Sequence, residues 1–137
     1  MNRVNMIKLA IVENDEDERF FMAEAFGACD GFEIVGEFGN GDQLMEWLED
    51  MPQQQPQLIV TDLNMPGKNG YDIIAEMRVT RPQVRVIATS TSHMAATREK
   101  CLRLGAREFL IKPDVFTDYN AFVTQVYNMV GPELMQN

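Results

Sequence analysis

Cysteine and basic residues are scarce in this 137-residue sequence. Its two cysteines, Cys29 and Cys101, follow no metal-ligand spacing and are too few for a disulfide framework, so we expect free thiols in a reducing compartment, both filling apolar positions. Twelve basic residues stand against 21 acidic ones, which gives a net charge of -9. The net negative charge argues against sequence-independent nucleic-acid binding, which needs a basic surface. An acidic membrane surface would also repel the protein.

Long hydrophobic runs are also absent. The N-terminal stretch MNRVNMIKLAIVEND holds only a short apolar run, interrupted by Lys8, which is too short for a signal peptide or a membrane span. The only linker-like stretch, Met51 to Gln57, is too short to separate domains. We therefore expect a cytoplasmic protein with a single domain over residues 1–137.

Five β-rich stretches alternate with stretches of helical periodicity. Strands are predicted at Leu9 to Val12, Phe32 to Phe38, Leu58 to Thr61, Val84 to Thr89 and Glu108 to Ile111. Four are nearly continuous apolar runs, typical of parallel strands covered on both faces, while Glu33 to Phe38 alternates, as an edge strand does. The pattern predicts an α/β fold with a doubly wound, five-stranded parallel sheet.

Apolar residues at helical spacing predict the intervening helices. The helix from Met94 to Leu104 is the least amphipathic, so we expect it to face solvent most, with Gly105 as its stop. The last helix has the clearest apolar stripe. The four stripes are Met22, Ala25, Phe26 and Cys29; Leu44, Trp47, Leu48 and Met51; Ile73, Ile74 and Met77; and Tyr119, Phe122, Val123, Val126 and Val130.

Polar side chains follow four predicted strands, at the sheet edge where parallel sheets bind ligands. Asp62 suits a nucleophile toward phosphoryl groups, because the following Pro66 and Gly67 turn the chain away from its carboxylate. The reaction needs charge neutralisation, which predicts Mg²⁺ bound by oxygen ligands together with an ammonium and a hydroxyl for the phosphoryl oxygens. The predicted set is Glu13, Asn14 and Asp62 for the metal, Lys112 on a solvent-facing rim, and Ser90.

Each residue also has a plainer interpretation when taken alone. The acids from Glu13 to Glu18 could cap a helix, Asp62 could cap a turn, and Ser90 could begin a helix or loop. Lys112 could be an ordinary surface lysine. Their joint position at the strand ends of one sheet favours the phosphoryl site.

The stretch LIVTDLNMPGKNG, with Ser90, the LGA segment from Leu104 to Ala106, and Lys112 followed by Pro113, resembles the receiver domain of two-component response regulators. The resemblance covers about residues 6–130. It implies a flavodoxin-like (βα)5 fold with strand order 2-1-3-4-5, in which Asp62 is the phosphoacceptor and Lys112 contacts the phosphate. It also implies that the backbone carbonyl of Asn64 binds Mg²⁺, that Ser90 and Phe109 form the switch, and that a cis peptide bond precedes Pro113.

One position departs from the family pattern. The family usually ends its first strand with two adjacent acids, whereas this sequence has Glu13 and Asn14. An amide oxygen can still bind a hard cation, so we expect weakened, metal-dependent phosphorylation. A phosphorylation-independent pseudo-receiver that acts as a protein-interaction module is the alternative.

The sequence has only GPELMQN beyond Val130. We therefore expect a stand-alone receiver, not an enzyme, that accepts a phosphoryl group from a histidine kinase or histidine phosphotransfer protein. Its output would be docking to a downstream protein through the fourth helix, fifth strand and fifth helix, with no nucleic-acid or membrane partner. Candidate contact residues on that surface are Arg98, Lys100, Arg103 and Tyr119.

Two other functions share parts of this pattern. A flavodoxin-like redox module needs a Ser/Thr-rich loop after the first strand to bind the flavin phosphate, but here that loop is ENDEDE. A phosphohydrolase with an aspartyl nucleophile needs a second acid two residues later, where this sequence has Asn64. The sequence therefore favours a switch that stores a phosphoryl group.

Overall fold

The computed structural model describes residues 6–134. Five parallel strands form one sheet in the order β2-β1-β3-β4-β5, which is the predicted topology. The strands are β1 (Ile7–Val12), β2 (Phe32–Phe38), β3 (Leu58–Asp62), β4 (Arg85–Ser90) and β5 (Glu108–Ile111). The helices are α1 (Glu16–Gly27), α2 (Gly41–Asp50), α3 (Gly70–Thr80), α4 (Ala95–Leu104) and α5 (Tyr119–Leu134), with short 3-10 helices at Pro52–Gln54 and Phe116–Asp118.

Two apolar layers cover the two faces of the sheet. Alternate residues of a strand point to opposite faces, so in β5 Phe109 joins the layer under α2, α3 and α4, while Leu110 joins the layer under α1 and α5. All five residues of β3 are buried. The central strands are therefore enclosed on both sides, which explains their nearly continuous apolar sequences.

The strand ends differ from the prediction by one or two residues. β1 begins at Ile7 instead of Leu9, because the exposed Lys8 is part of the strand although it interrupts the apolar run. Asp62 is the last residue of β3, and Ser90 is the last residue of β4. Both polar residues continue the backbone ladder, so they are held by the sheet itself. The alternating β2 lies at one edge of the sheet, as predicted.

Local signals define the helix ends. Asp15 caps α1 by accepting a hydrogen bond from the Glu18 amide at 2.9 Å. Gly105 ends α4 with φ +120°, a conformation that favours glycine. The apolar stripes predicted for α1 and α2 extend past the C-terminal ends of these helices. Their last members, Cys29 and Met51, lie beyond the helices.

The solvent exposure of α4 and of the two cysteines agrees in most respects with what the sequence predicts. Cys101 is the one buried residue of α4, which is therefore largely solvent-facing as expected. Both cysteines are free, and Cys29 is only partly buried. Over residues 6–134, no helix has the length and apolar character needed to cross a membrane.

Candidate functional site

The carboxyl ends of four strands meet at one edge of the sheet. Backbone hydrogen bonds join the residue after β3 to β4 (Leu63 N to Thr89 O, 3.1 Å) and the residue after β5 to β4 (Lys112 N to Ser90 O, 2.9 Å). On the other side, the Glu13 amide donates to the Phe38 carbonyl at 2.9 Å. The sheet thereby brings residues from distant parts of the sequence to one rim.

The Lys112 ammonium lies among three carboxylates at this rim. Its Nζ is 2.8 Å from Glu13 Oε1, 3.3 Å from Asp62 Oδ1 and 3.4 Å from Glu18 Oε1. The predicted nucleophile, the predicted acidic corner and the predicted lysine are therefore in direct ionic contact. Three carboxylates face one ammonium, which leaves two negative charges uncompensated.

Burial controls the ionisation of this cluster. It raises the pKa of the Asp62 carboxyl, against the opposing effects of Lys112 and of backbone hydrogen bonds. It likewise raises the pKa of Glu13, to which the nearby charge of Asp62 adds. Burial alone would lower the pKa of Lys112, but its ion pairs outweigh that effect and raise it. The ammonium therefore stays charged at neutral pH.

Two contacts of the cluster are not predicted by the sequence. The sequence predicts Glu18 only as a helix-capping acid, and Tyr119 only as an apolar stripe residue and a surface contact. In the structure the Tyr119 hydroxyl donates to Glu18 Oε1 at 2.7 Å, and the same oxygen faces Lys112. No local pattern could reveal this contact, because it joins residues 101 positions apart.

Ser90 and Phe109 occupy neighbouring strands at the same end of the sheet. Ser90 Oγ accepts a hydrogen bond from the Ser92 amide at 3.2 Å, so the hydroxyl is attached to the loop after β4. Phe109 is 6% exposed, with its ring in the apolar layer under α2, α3 and α4. Their coupling as a switch stays a prediction.

The residues close to Glu13 and Asp62 in the sequence have different structural roles. Asn14 is exposed and follows the end of β1, whereas the Asp15 carboxylate is the N-cap of α1. The Asp15 amide also donates to Glu13 Oε2 at 3.0 Å, which fixes one oxygen of that carboxylate. Asn64 is exposed in the loop after β3, two residues past Asp62.

The donor set fits a hard divalent cation. Glu13 Oε1 is buried and, among the described residues, accepts only from the Lys112 ammonium at 2.8 Å, so it keeps a second lone pair for a cation. Within residues 6–134, no three His, Cys, Asp or Glu side chains form a ready metal site. A cation here would therefore rely on the Asn14 and Asn64 oxygens in addition to the carboxylates of Glu13 and Asp62.

Three expectations about individual residues are wrong. Lys112 is not on a solvent-facing rim: its side chain is 7% exposed, because the carboxylates draw the ammonium inward over the sheet. Tyr119 is 1% exposed and cannot be a surface contact, since its ring lies in the apolar layer under α1 and α5. The described residues contain no cis peptide bond, so the bond before Pro113 is trans, the isomer that X-Pro amides favour.

The family of this chain follows from comparison with known proteins. Residues 9–121 match the sequence model of the response regulator receiver domain. The match covers most of the chain, and the fold and the acidic rim agree with it. The chain belongs to the response regulator receiver family.

Individual relatives support the same assignment. The chain is 29% identical over 133 residues to the probable C4-dicarboxylate response regulator DctR of Halalkalibacterium halodurans, a match that covers 94% of this chain and 55% of that protein. The chain thus spans about half the length of this relative.

Among solved structures, the phosphorylated cyanobacterial phytochrome response regulator RcpA superposes with a TM-score of 0.79 at 22% identity, covering 90% of this chain and 92% of that one. A chain of the CheX-CheY-BeF3-Mg complex from Borrelia burgdorferi gives 0.75 at 18% identity, covering 93% and 98%. At these identities the likeness concerns the fold.

Proposed function

We propose that this chain is a phosphorylation-dependent signalling switch in which Asp62 accepts a phosphoryl group. The observation that carries the proposal is the buried Asp62 carboxylate at the end of β3, with the Lys112 ammonium 3.3 Å from its Oδ1. A fixed positive charge beside the nucleophile can stabilise the charge that develops on the phosphoryl oxygens. The receiver unit would occupy about residues 6–130 of a cytoplasmic protein.

The proposed donor is a phosphohistidine on a histidine kinase or a histidine phosphotransfer protein. One carboxylate oxygen of Asp62 forms the new bond to phosphorus while the bond from phosphorus to the imidazole nitrogen breaks. The electron pair of the broken bond stays on the imidazole, which then takes up a proton from water. Lys112 contacts the transferred phosphoryl oxygens, and the Ser90 hydroxyl donates a hydrogen bond to one of them.

Mg²⁺ is the proposed cofactor. Its positive charge would offset the repulsion between an anionic phosphoryl donor and the acidic site. The residues that would hold it are Asp62, Glu13, the Asn14 amide and the backbone carbonyl of Asn64. Uncompensated carboxylate charge and the spare acceptor capacity of Glu13 Oε1 support this assignment.

The proposed output is docking of a downstream protein to the surface formed by α4, β5 and α5. A groove on this surface contains exposed Met94 and Ile111, and its wall includes the buried ring of Phe109. Arg98 at its edge forms a bidentate contact with Glu108 at 3.0 Å. A change at Phe109 would therefore alter the groove directly.

Asn14 favours a second candidate function. If an amide in place of an acid prevents metal binding, the chain would act as a pseudo-receiver that binds its partner without phosphorylation. The two candidates differ in whether Asp62 is ever modified.

Intact-mass measurement after incubation with acetyl phosphate separates the two candidates. We expect one phosphoryl adduct on wild type in the presence of Mg²⁺, little without it, and none on Asp62→Asn. Asp50→Asn, which alters an exposed acid at the end of α2 outside the cluster, is the matched control and should be modified like wild type. An unmodified wild type at saturating Mg²⁺ would favour the pseudo-receiver.

A further inference from the structure

The contact between Tyr119 and Glu18 joins the start of α5 to the first turn of α1. The Tyr119 hydroxyl donates to Glu18 Oε1 at 2.7 Å, and this oxygen lies 3.4 Å from Lys112 Nζ. The hydroxyl, the carboxylate and the ammonium form a continuous chain that ends at Asp62. The Glu18 side chain is 19% exposed, so solvent screens it only in part.

The ring and the hydroxyl of Tyr119 have separable roles. The ring packs edge-on against Phe122 with centroids 5.5 Å apart, inside the apolar layer under α1 and α5. A phenylalanine would keep this packing. The hydroxyl is the only polar group of the side chain, and a buried hydroxyl needs a partner, so its hydrogen bond holds Glu18 in one position.

Glu18 acts on Lys112 from a different element than Glu13 and Asp62. An ammonium has three protons, and here one carboxylate oxygen faces it from each of Glu13, Asp62 and Glu18. Without Glu18, the ammonium would be shared by Glu13 and Asp62 alone and would move closer to the Asp62 oxygens. A tighter ion pair there would occupy the oxygen lone pairs that a nucleophile uses.

We propose that Glu18, held by the Tyr119 hydroxyl, is a positioning residue that keeps the Lys112 ammonium from closing onto Asp62. Tyr119 acts through Glu18, and Glu18 acts through Lys112. Placement of the ammonium does not depend on any modification of Asp62. Only the consequence for reactivity rests on the proposed function.

Placement of the ammonium is tested in the unmodified protein, without metal. The Lys112 side-chain carbon and nitrogen signals are compared by NMR in wild type, Tyr119→Phe, Glu18→Gln and the double variant. Both single variants should shift these signals, and the double variant should resemble Glu18→Gln, because Tyr119 acts only through the Glu18 charge. Tyr127→Phe, on the same helix with its ring against Phe32, is the control and should leave Lys112 unchanged.

Reactivity is tested by the rate of phosphorylation by acetyl phosphate at saturating Mg²⁺. We expect a several-fold slower rate for Glu18→Gln, a smaller loss for Tyr119→Phe, and no added loss in the double variant. Unshifted Lys112 signals in both single variants, or additive rate effects, would overturn the positioning role. If wild type is not phosphorylated at all, the proposed function fails, and the Lys112 spectra still decide the positioning role by themselves.

Discussion

Glu13 Oε1 lies 2.8 Å from Lys112 Nζ, and the two side chains are only 1% and 7% exposed. A pair so far removed from water is costly to break from one side, because the remaining charge keeps its desolvation penalty without its partner. The stability of the fold and the chemistry of the site are therefore linked at Lys112.

Lys112→Met should lower the free energy of unfolding at pH 7 by about 3 kcal/mol, since it leaves the buried carboxylates without their counterion. Ion pairing raises the pKa of Lys112, so its contribution is fully present at neutral pH. The loss should shrink as the pH falls and the carboxylates become protonated. Urea unfolding between pH 4 and pH 8 measures it, with Lys8→Met, at an exposed strand position, as the control. Equal stability of wild type and Lys112→Met at pH 7 would contradict the buried cluster.

Asp62→Asn should stabilise the metal-free protein at neutral pH. Because burial raises the pKa of Asp62 above its ordinary 3.8, the folded state binds this proton more readily than the unfolded chain does. The ionised group therefore costs stability as the pH rises through the raised value. Thermal melts should show a higher Tm for Asp62→Asn at pH 7, and the difference should fade below pH 3.8. A lower Tm at pH 7 would mean that the Lys112 contact outweighs burial.

Asn14→Asp should tighten Mg²⁺ binding tenfold or more. A unit charge about 4 Å from another contributes on the order of 4 kcal/mol at an effective dielectric constant of 20, and about 1.4 kcal/mol corresponds to tenfold in affinity. Thermal melts across a Mg²⁺ titration measure the change, because a ligand of the folded state raises Tm with its concentration.

The control for that change is Asp15→Asn. The Asp15 carboxylate caps α1, and asparagine is an equally good cap, so both stability and Mg²⁺ affinity should stay close to wild type. If Asp15→Asn abolishes Mg²⁺ binding while Asn14→Asp changes nothing, Asp15 is the ligand, and the proposed metal site is displaced by one residue.

Ser90→Ala should uncouple Phe109 from the site. In wild type, binding of a beryllofluoride phosphoryl mimic should shift the Phe109 ring signals in NMR spectra, because the Ser90 hydroxyl leaves the Ser92 amide for the mimic. In Ser90→Ala the mimic should bind with little change at Phe109. The Phe32 ring, in the opposite apolar layer, serves as the internal reference. An unshifted Phe109 in wild type with bound mimic would contradict the switch.

The sequence predicts what depends on local pattern. β5 has the predicted bounds, and Gly105 ends α4. Both are visible locally, because a buried strand is a short apolar run and a left-handed helix end favours glycine. Lys112 also falls at the rim as expected, because its place after a strand is a local property. Its burial is not local, since it results from carboxylates just after β1, on β3 and on α1. The Tyr119 contact is hidden for the same reason, as a tyrosine in an apolar stripe does not reveal where its hydroxyl points.

The central claim is that the phosphoryl group is attached to the Asp62 carboxylate. Borohydride reduces an acyl phosphate and marks the aspartate that carried it, so peptide mass spectrometry after phosphorylation and reduction locates the modified residue. We predict a single marked residue, Asp62, which requires Mg²⁺ during phosphorylation and is absent from Asp62→Asn. A borohydride-resistant phosphoryl group on Ser90, or a mark on Glu13 instead of Asp62, would contradict the account.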